Sequence, residues 1–355
     1  MGLSTSQSIT YQRIRTSSAS KQAVALSDDA IRALIFIAAR DMGLVDQYPE
    51  MPQDLPELFE PQFDAEVVVP GPSPTSLFER ICQLRTDADT YVACLASLHK
   101  ARLKYRKVLA TQPFARMDQV GPRGLLQFGL IEVPALAALL VWRKWLYDID
   151  NRAAQDTGYL VEPVIAGALG GTPYSARVSP IKRASDPRKG RQVDCIKNDY
   201  AYEFKLRMTI AASGQGRWAE EIGFAEDVRS SGYIPVLVVL DPTESTKLVQ
   251  LKANFEAAGG HCYIGDEAWQ HLYAEAQPDM RAFLGKYVET PLRSLFEALP
   301  TTGTLPTLEV HDAGANVKFV IGDHTWTVQR ENIDPELALE DEVPRGAGEF
   351  LPGVG

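Results

Sequence analysis

The sequence predicts an α/β protein that has a mixed β-sheet behind a large, mainly helical N-terminal region. Apolar residues recur at helical spacing through most of the first 150 residues, whereas strand-like and helical segments alternate after Gly171. The continuous apolar run IPVLVVL at 234–240 is typical of a strand that is buried on both faces. Together these patterns favour a sheet with helices packed against it.

The N-terminal region is expected to be helical from residue 27 onward. Ser27 or Asp28 can cap the first helix, because a short polar side chain accepts a hydrogen bond from a free amide of the first turn. Gly170 and Gly171 are suited to end the last helix, since glycine readily adopts the left-handed conformation found there. The expected segments are a helix at 27–44, a proline-rich loop at 49–75, one or two helices within 76–110, an irregular stretch at 111–132, and helices at 134–150 and 152–169.

The sheet is expected to form from the residues after Gly171. The expected strands are 174–181, 191–196, 201–210, 234–240 and 261–265, and the expected helices are 216–232 and 245–260. A helical stretch at 266–298 and a hairpin-like stretch at 308–330 follow. The order of helix, two or three strands, helix, strand, helix and strand predicts a mixed sheet.

Composition restricts the class of protein. The 355 residues allow a sizeable core, and the four dispersed cysteines lack a CxxC motif, which argues against a zinc site or a disulfide framework and favours a reducing cytoplasm. The N-terminus lacks the layout of a signal peptide. The most apolar window, 125–142, contains Glu132 and Pro134, so we interpret it as a buried loop and a core helix, and we expect no membrane partner.

The net charge of −10 is unevenly distributed along the chain. Residues 331–349 contain seven acids and one arginine, whereas 99–107 contain five Lys or Arg and no acid, and 177–191 contain six and one acid. Because charge is screened within about 10 Å, local basic patches decide phosphate contact more than the net charge does. Each basic patch could equally be a solvated face, and the acidic stretch could compete with nucleic acid for the basic surface.

One short segment, VDCIKNDYAYEFKLRMT, combines acids and a lysine on two adjacent strands. A two-residue turn at Asn198–Asp199 places Asp194 directly opposite Glu203, and strand alternation places Lys205 and Arg207 on the face of Glu203. Opposed carboxylates repel each other, so either the pKa of one acid is raised or a cation is bound.

A low number of hard oxygen ligands suits Mg²⁺. A neighbouring lysine could orient or deprotonate a water molecule, or stabilise the charge of a phosphate transition state. The alternative is that Asp194, Glu203 and Lys205 form the salt-bridged face of a solvated hairpin, since a Glu-x-Lys triplet is common by itself.

Asp194 followed by Glu203-Phe204-Lys205, within the expected order of strands and helices, resembles the PD-(D/E)xK nuclease superfamily. The resemblance implies phosphodiester hydrolysis. It implies that Asp194, Glu203 and the backbone carbonyl of Phe204 hold Mg²⁺, and that Lys205 positions the attacking water. Glu162, on the helix before the expected core, is carried over as a candidate outer-shell residue of the metal.

The length and the helical addition are similar to type II restriction endonucleases, and the runs EFKLRMTIAASGQGRWAEE and SGYIPVLVVLDPT are similar to the ApaLI-like group. Val193 replaces the proline that often precedes the aspartate. The resemblance implies Mg²⁺-dependent cleavage of double-stranded DNA at a short palindrome containing GTGCAC, by a cytoplasmic homodimer. A cognate DNA methyltransferase is expected in the same system, without stable binding.

On this basis the chain divides into four parts. They are a mainly helical region for DNA recognition or dimerisation at 1–150, a PD-(D/E)xK catalytic core at 151–298, a C-terminal hairpin at 299–331, and an acidic, disordered tail at 332–355.

DNA contact requires Arg, Lys, Asn or Gln side chains at the surface. The glycine-rich stretch at 212–217 could cradle a phosphate at a helix N-terminus, or it could serve only to form a turn. The candidate DNA-binding residues are Lys104, Arg123, Lys182, Arg183, Arg188, Lys189, Arg191, Arg207, Gln215 and Arg217.

Three alternatives to a restriction enzyme stay open from the sequence. One is a repair, phage or mobile-element nuclease of the same fold that reads DNA structure, the second is a catalytically inert DNA-binding module, and the third is an unrelated α/β enzyme. The chain has neither GxxxxGK[ST] nor GxGxxG after a strand, so nucleotide binding of those kinds has no support.

Overall fold

The computed structural model of the protein describes residues 2–16, 24–60, 63, 68–206, 215–298 and 304–331, without the side chains of 215–217. The expected disordered tail at 332–355 lies outside these residues. The helices of the first half are α1 (Thr5–Arg15), α2 (Asp28–Asp41), α3 (Pro74–Leu84), α4 (Ala88–Thr111), α5 (Met117–Val120) and α6 (Val133–Leu169). Short 3-10 helices cover Val45–Gln47 and Gly121–Leu126.

The second half contains ten strands and five helices among the described residues. The strands are β1 (Thr172–Tyr174), β2 (Lys182–Arg183), β3 (Asp186–Gly190), β4 (Val193–Lys197), β5 (Tyr200–Lys205), β6 (Ile234–Val239), β7 (His261–Ile264), β8 (Leu308–Asp312), β9 (Asn316–Ile321) and β10 (His324–Gln329). The helices are α7 (Gln215–Ser230), α8 (Thr246–Ala257), α9 (Asp266–Glu275), α10 (Pro278–Leu284) and α11 (Thr290–Ala298), with a π-helical turn at Gly285–Glu289.

The helical N-terminal region is confirmed, with two differences. Helix α1 was not expected, although Ser4 and Gln7 form a capping box at its start. Helix α6 is one helix of 37 residues, so the prediction of separate helices at 134–150 and 152–169 is wrong. No glycine or proline interrupts the chain near residue 150, and the helix ends at Gly170, whose φ of 69° provides the expected stop.

The main sheet is mixed, as expected, and has five strands in the order β1-β4-β5-β6-β7. Strands β1, β4 and β5 pair antiparallel, whereas β5, β6 and β7 pair parallel. The first strand covers 172–174, so the prediction of a strand at 174–181 is wrong. Strands β2 and β3 form a separate two-stranded hairpin, and β8 to β10 form a three-stranded antiparallel sheet rather than a two-stranded hairpin.

The main sheet separates two apolar cores. On one face, Tyr202, Phe204 and Val238 pack with the N-terminal helices and the second half of α6. On the other face, Ala201 and Leu237 pack in a smaller core with α7 and α8. The N-terminal helices and the sheet therefore share one core. The proposed division at residue 150 falls inside α6 and stays a prediction.

The apolar window at 125–142 forms the end of a 3-10 helix, a loop and the start of α6. The loop is not buried, because Leu125, Leu126, Phe128 and Leu130 are all exposed, so that part of the prediction is wrong. At the start of α6, Leu136 and Leu140 are buried, whereas Val133 and Leu139 are exposed. In the described part of the chain, no helix combines the length and the apolar character needed to cross a bilayer.

Candidate active site

Strands β4 and β5 form the hairpin that the sequence predicts. Asn198 lies in the left-handed region with φ of 54°, a conformation that asparagine tolerates better than most residues, and this turn fixes the register. The paired residues are Cys195 with Tyr202, Ile196 with Ala201, and Lys197 with Tyr200. The predicted register is confirmed, and Asp194 is the next residue beyond the last of these pairs.

Asp194 leaves the regular pattern of the strand. Its Oδ2 accepts a hydrogen bond from the backbone N–H of Phe204 at 2.9 Å, and the residue is only 5% exposed. Val193 packs in the smaller core and Cys195 in the main core, although alternation would place both on one face. The register between β1 and β4 shifts at this point. Such an irregularity can re-aim a side chain, and here it aims a buried carboxylate at the β5 backbone.

Lys205 lies between acidic side chains from two elements. Its Nζ is 2.7 Å from Glu203 Oε1 on the same strand and 3.8 Å from Glu221 Oε1 on α7. All three side chains are partly shielded, with 18–24% of their surface exposed. The lysine is therefore held at the face of β5 by two carboxylates, with access to solvent from one side.

The charges of this cluster act on one another. Burial raises the pKa of Asp194 well above its usual range, and the nearby carboxylates of Glu203 and Glu162 raise it further. Lys205 and the Phe204 N–H oppose this rise only in part. Burial by itself lowers the pKa of Lys205, but Glu203 and Asp194 outweigh burial, so the pKa is raised and the lysine stays charged at neutral pH.

The Phe204 carbonyl, which the sequence names as a metal ligand, lies on the side of β5 that faces Asp194. The Lys205 carbonyl accepts from Leu240 N–H at 2.9 Å on the β6 side. Because successive carbonyls of a strand point to opposite neighbours, the Phe204 carbonyl points towards β4 and Asp194. No cluster of three or more His, Cys, Asp or Glu side chains in metal-holding geometry occurs within the described ranges. A site of two carboxylates and a carbonyl, completed by water, is typical of Mg²⁺.

The predicted outer-shell residue Glu162 is brought near the cluster by α6. It is half-buried, and it is one of the two carboxylates that raise the pKa of Asp194. The four acidic and basic side chains named from the sequence, Asp194, Glu203, Lys205 and Glu162, therefore meet in one place. Their roles in catalysis stay a prediction.

The basic stretch before β4 forms the β2–β3 hairpin beside α7. Arg183 pairs with Glu220 at 2.6 Å, and Glu220 is the neighbour of Glu221, which holds Lys205. Arg188 and Lys189 are 90% and 71% exposed and share Asp186 as their acidic partner. Lys182 is also exposed, and its Nζ donates to the carbonyl of Ser179. The hairpin thus presents cations close to the acidic cluster.

Arg191 differs from the other arginines of this hairpin. It is 8% exposed, pairs with Asp227 at 2.5 Å, and stacks over the Phe224 ring at 5.2 Å. It also donates to the Glu220 carbonyl. A guanidinium that is bound in this way inside the fold fixes the hairpin to α7.

The remaining candidates are spread over the molecule. Lys104 on α4 pairs with Asp156 on α6 at 2.8 Å. Asp156 lies six residues before Glu162, which corresponds to roughly 9 Å along the helix axis. Arg123 is exposed beside the start of α6, far along that helix from Glu162. The prediction for Arg207, and the predictions for the side chains of Gln215 and Arg217, lie outside what the structure describes.

Sequence reasoning missed the acidic face of α7. Glu220, Glu221 and Asp227 contact the β2–β3 hairpin or Lys205, and the seven-residue spacing of Glu220 and Asp227 places both on one face. Two acids at this spacing, in the helix that follows the basic stretch and β5, could have predicted that α7 contacts the basic residues.

Comparison with known proteins shows to which family the chain belongs. The family model of the ApaLI-like restriction endonucleases matches residues 73–289, which include the whole acidic cluster. The type II restriction enzyme ApaLI of Acetobacter pasteurianus is 46% identical over 273 residues, covering 73% of this chain and 72% of that protein. No solved structure matches the chain. The chain belongs to the ApaLI-like restriction endonuclease family, and the prediction of a restriction endonuclease is confirmed.

Proposed function

We propose that this restriction endonuclease cuts both strands of a short palindromic DNA site in a Mg²⁺-dependent reaction, with a PD-(D/E)xK core as its catalytic unit. The observation that carries the proposal is the buried Asp194 beside Glu203 and Lys205 at the β4–β5 hairpin. The order of α6, the antiparallel strands β1, β4 and β5, then α7 and the parallel strand β6 supports such a core.

Asp194, Glu203 and the Phe204 carbonyl would hold the Mg²⁺ ion. Their fit rests on the raised pKa of Asp194, because a buried carboxylate crowded by Glu203 and Glu162 gains most from a neighbouring cation. When bound, the ion supplies Lewis-acid polarisation of the scissile phosphate. Glu162, which is close enough to raise the pKa of Asp194, would hold water of the outer shell.

Lys205 would position the attacking water and stabilise the charge of the phosphate. Its raised pKa keeps it protonated at neutral pH, so in the protein alone it is a hydrogen-bond donor and a positive charge rather than a base. Glu203 and Glu221 fix the ammonium from two sides, at 2.7 and 3.8 Å. An ordered charge beside the reacting phosphate is the kind of preorganisation that stabilises a transition state.

The DNA would approach across the β2–β3 hairpin. Lys182, Arg183, Arg188 and Lys189 supply exposed or half-exposed cations there, and Arg183 is tied to α7 next to the residue that holds Lys205. Phosphate contacts from such residues set the position of a duplex, whereas base contacts set the sequence. The family resemblance makes GTGCAC the first sequence to test.

A palindromic site is most simply read by a two-fold symmetric protein, so we infer a homodimer. A cognate DNA methyltransferase, acting separately, would protect host DNA. We infer a reducing cytoplasm as the compartment, because the four dispersed cysteines do not have the spacing of a disulfide framework.

Replacing Glu203 by glutamine tests the metal site, and replacing the exposed Glu309 on β8 by glutamine is the matched control. We expect Glu203→Gln to lose plasmid cleavage and to lose the heat of Mg²⁺ binding in calorimetry, while Glu309→Gln keeps both. Wild-type cleavage by Glu203→Gln would contradict the assignment. So would Mg²⁺ binding that is unchanged in this variant.

A further inference from the structure

The exposed loop before α6 and the first turns of that helix carry an unusual apolar surface. We call it the apolar ridge, and it consists of Leu125, Leu126, Phe128, Leu130 and Val133. Leu126 is 91% exposed, Leu125 and Leu130 are 76% exposed, and Phe128 is 68% exposed. Single exposed apolar residues are ordinary, but so many in one short segment are not.

The ridge is held in place by the residues beneath it. Gly124 lies against α6 so closely that a Cβ there would come within 2.8 Å of Leu140 Cδ1. Leu136 and Leu140 turn inward with Val120 to form a small core under the ridge. The loop N–H of Gln127 donates to Gly124 O at 2.9 Å. The exposed side chains therefore project from an anchored backbone.

The size of the ridge approaches what a stable protein interface requires. A whole large apolar side chain has roughly 150–200 Å² of surface, so the exposed fractions of the ridge residues correspond to about 600 Å². A standard interface buries about 800 Å² on each partner, and monomeric proteins seldom leave an apolar patch of this size open to water.

The charges around the ridge favour a second copy of this chain over nucleic acid. The ridge itself has no charged side chain, whereas a DNA-binding surface is rich in cations. Exposed groups of both signs, Arg123, Glu132 and Arg143, lie beside it. In a two-fold interface each contact occurs twice, so Arg123 of one protomer can meet Glu132 of its partner and the reverse.

We infer that the apolar ridge is the surface through which two copies of this chain associate. The inference rests on the homodimer of the proposed function and not on the metal site. It gives the long helix α6 two roles, since its first turns enter the interface and its second half carries Glu162 near the acidic cluster. Dimerisation through the ridge would fix the two α6 helices, and with them the two active sites, relative to each other.

Light scattering on the full chain after size-exclusion chromatography tests the inference. The double variant Leu126→Glu/Leu130→Glu places two charges on the most exposed side chains of the ridge, and Val249→Glu, at a 63% exposed position of α8, is the control. We expect the wild type and the control to be dimers. The double variant should be a monomer at the same concentration, with a dimer Kd at least 100-fold higher and an unchanged melting temperature.

A monomeric wild type would overturn the inference, as would a double variant whose dimer Kd is unchanged. A double variant that binds DNA more weakly but has the mass of the wild type would show that the ridge contacts DNA, and would also overturn the inference. Dimerisation only after deletion of residues 332–355 would show that this segment occupies the ridge instead. Because mass is measured without cleavage, a failure of the metal site would leave this result readable.

Discussion

Replacing Lys205 by alanine removes a cation that contacts both Glu203 and Glu221. The ammonium is 2.7 Å from Glu203 and 3.8 Å from Glu221, and the lysine side chain is 22% exposed. Loss of one preorganised donor that stabilises charge at a reacting centre costs about 10²–10³ in rate. Because Lys205 would be such a donor, we expect the single-turnover cleavage rate to fall at least about 10²-fold.

Stability should change less than activity. Loss of one partner of a fully buried ion pair costs about 3–5 kcal/mol, but this pair is partly solvated, so we expect a cost on the order of 1–2 kcal/mol. Without the lysine, the carboxylates of Asp194, Glu203 and Glu221 lack their nearby positive charge. Mg²⁺ bound at the site would supply such a charge, so it should reduce the loss of stability.

The assay is single-turnover cleavage of a supercoiled plasmid with Mg²⁺, combined with fluorescence anisotropy of a labelled duplex in EDTA. DNA affinity should stay within about threefold, because the proposed phosphate contacts are made by the β2–β3 hairpin and not by Lys205. Lys205→Arg should remain defective, since a guanidinium does not replace a compact ammonium. Lys252→Ala, at a half-exposed lysine of α8, is the matched control. A Lys205→Ala enzyme that keeps more than a tenth of the cleavage rate would refute the role assigned to the lysine.

Four further predictions follow from the same contacts. Burial and neighbouring acids raise the pKa of Asp194, so this group's contribution to stability is complete below the usual aspartate range and is lost as pH rises through the raised pKa. In EDTA, the difference in melting temperature between Asp194→Asn and the wild type should therefore change in favour of the variant as the pH rises. A difference that is the same at every pH would contradict this. Glu221→Gln should slow cleavage about 3- to 30-fold, because Lys205 loses one of the two carboxylates that hold its ammonium in place; an unchanged cleavage rate with a lowered melting temperature would show that Glu221 has a structural role only. The double variant Arg188→Ala/Lys189→Ala should reduce the slope of log K against log salt by about 2 if both side chains contact phosphate, and an equal slope would exclude them. Arg191→Met leaves Asp227 buried with little compensation and should destabilise the fold by about 3–5 kcal/mol in urea denaturation, with normal DNA affinity of the folded protein; a stable variant with weakened DNA binding would reverse this assignment.

The hairpin register could be predicted because it depends on local chemistry. A two-residue turn at Asn198–Asp199 fixes which residues face each other, and the observed pairs follow it. The position of the Asp194 carboxylate could not be predicted, because it depends on the irregular pairing between β1 and β4. That irregularity joins residues about 20 positions apart, and no local pattern encodes it.

The role of each basic residue was beyond the sequence for a related reason. Arg188 and Arg191 stand three positions apart in the same stretch, yet one is exposed and the other is buried against Asp227. The difference is made by α7, which approaches the hairpin only in the folded chain. Distance along the sequence, 36 residues for the pair of Arg191 and Asp227, hides such a contact.

The apolar ridge shows that an apolar sequence pattern does not distinguish buried residues from exposed ones. Leu125, Leu126 and Phe128 have the composition of a core segment, so the sequence predicts that they are buried. Exposed interface residues and core residues share this chemistry, so periodicity does not separate them. In contrast, the capping box of α1 was a local signal, and the sequence could have shown that helix.

The central claim is that the acidic cluster at the β4–β5 hairpin is a metal-dependent, sequence-specific nuclease centre. The most direct measurement is incubation of the purified full chain with unmethylated phage DNA in Mg²⁺ or in EDTA, followed by electrophoresis and sequencing of the fragment ends. We expect discrete fragments in Mg²⁺, all ending at one palindromic sequence, and intact DNA in EDTA. Equal cutting in EDTA, a smear without common ends, or intact DNA under both conditions would contradict the claim.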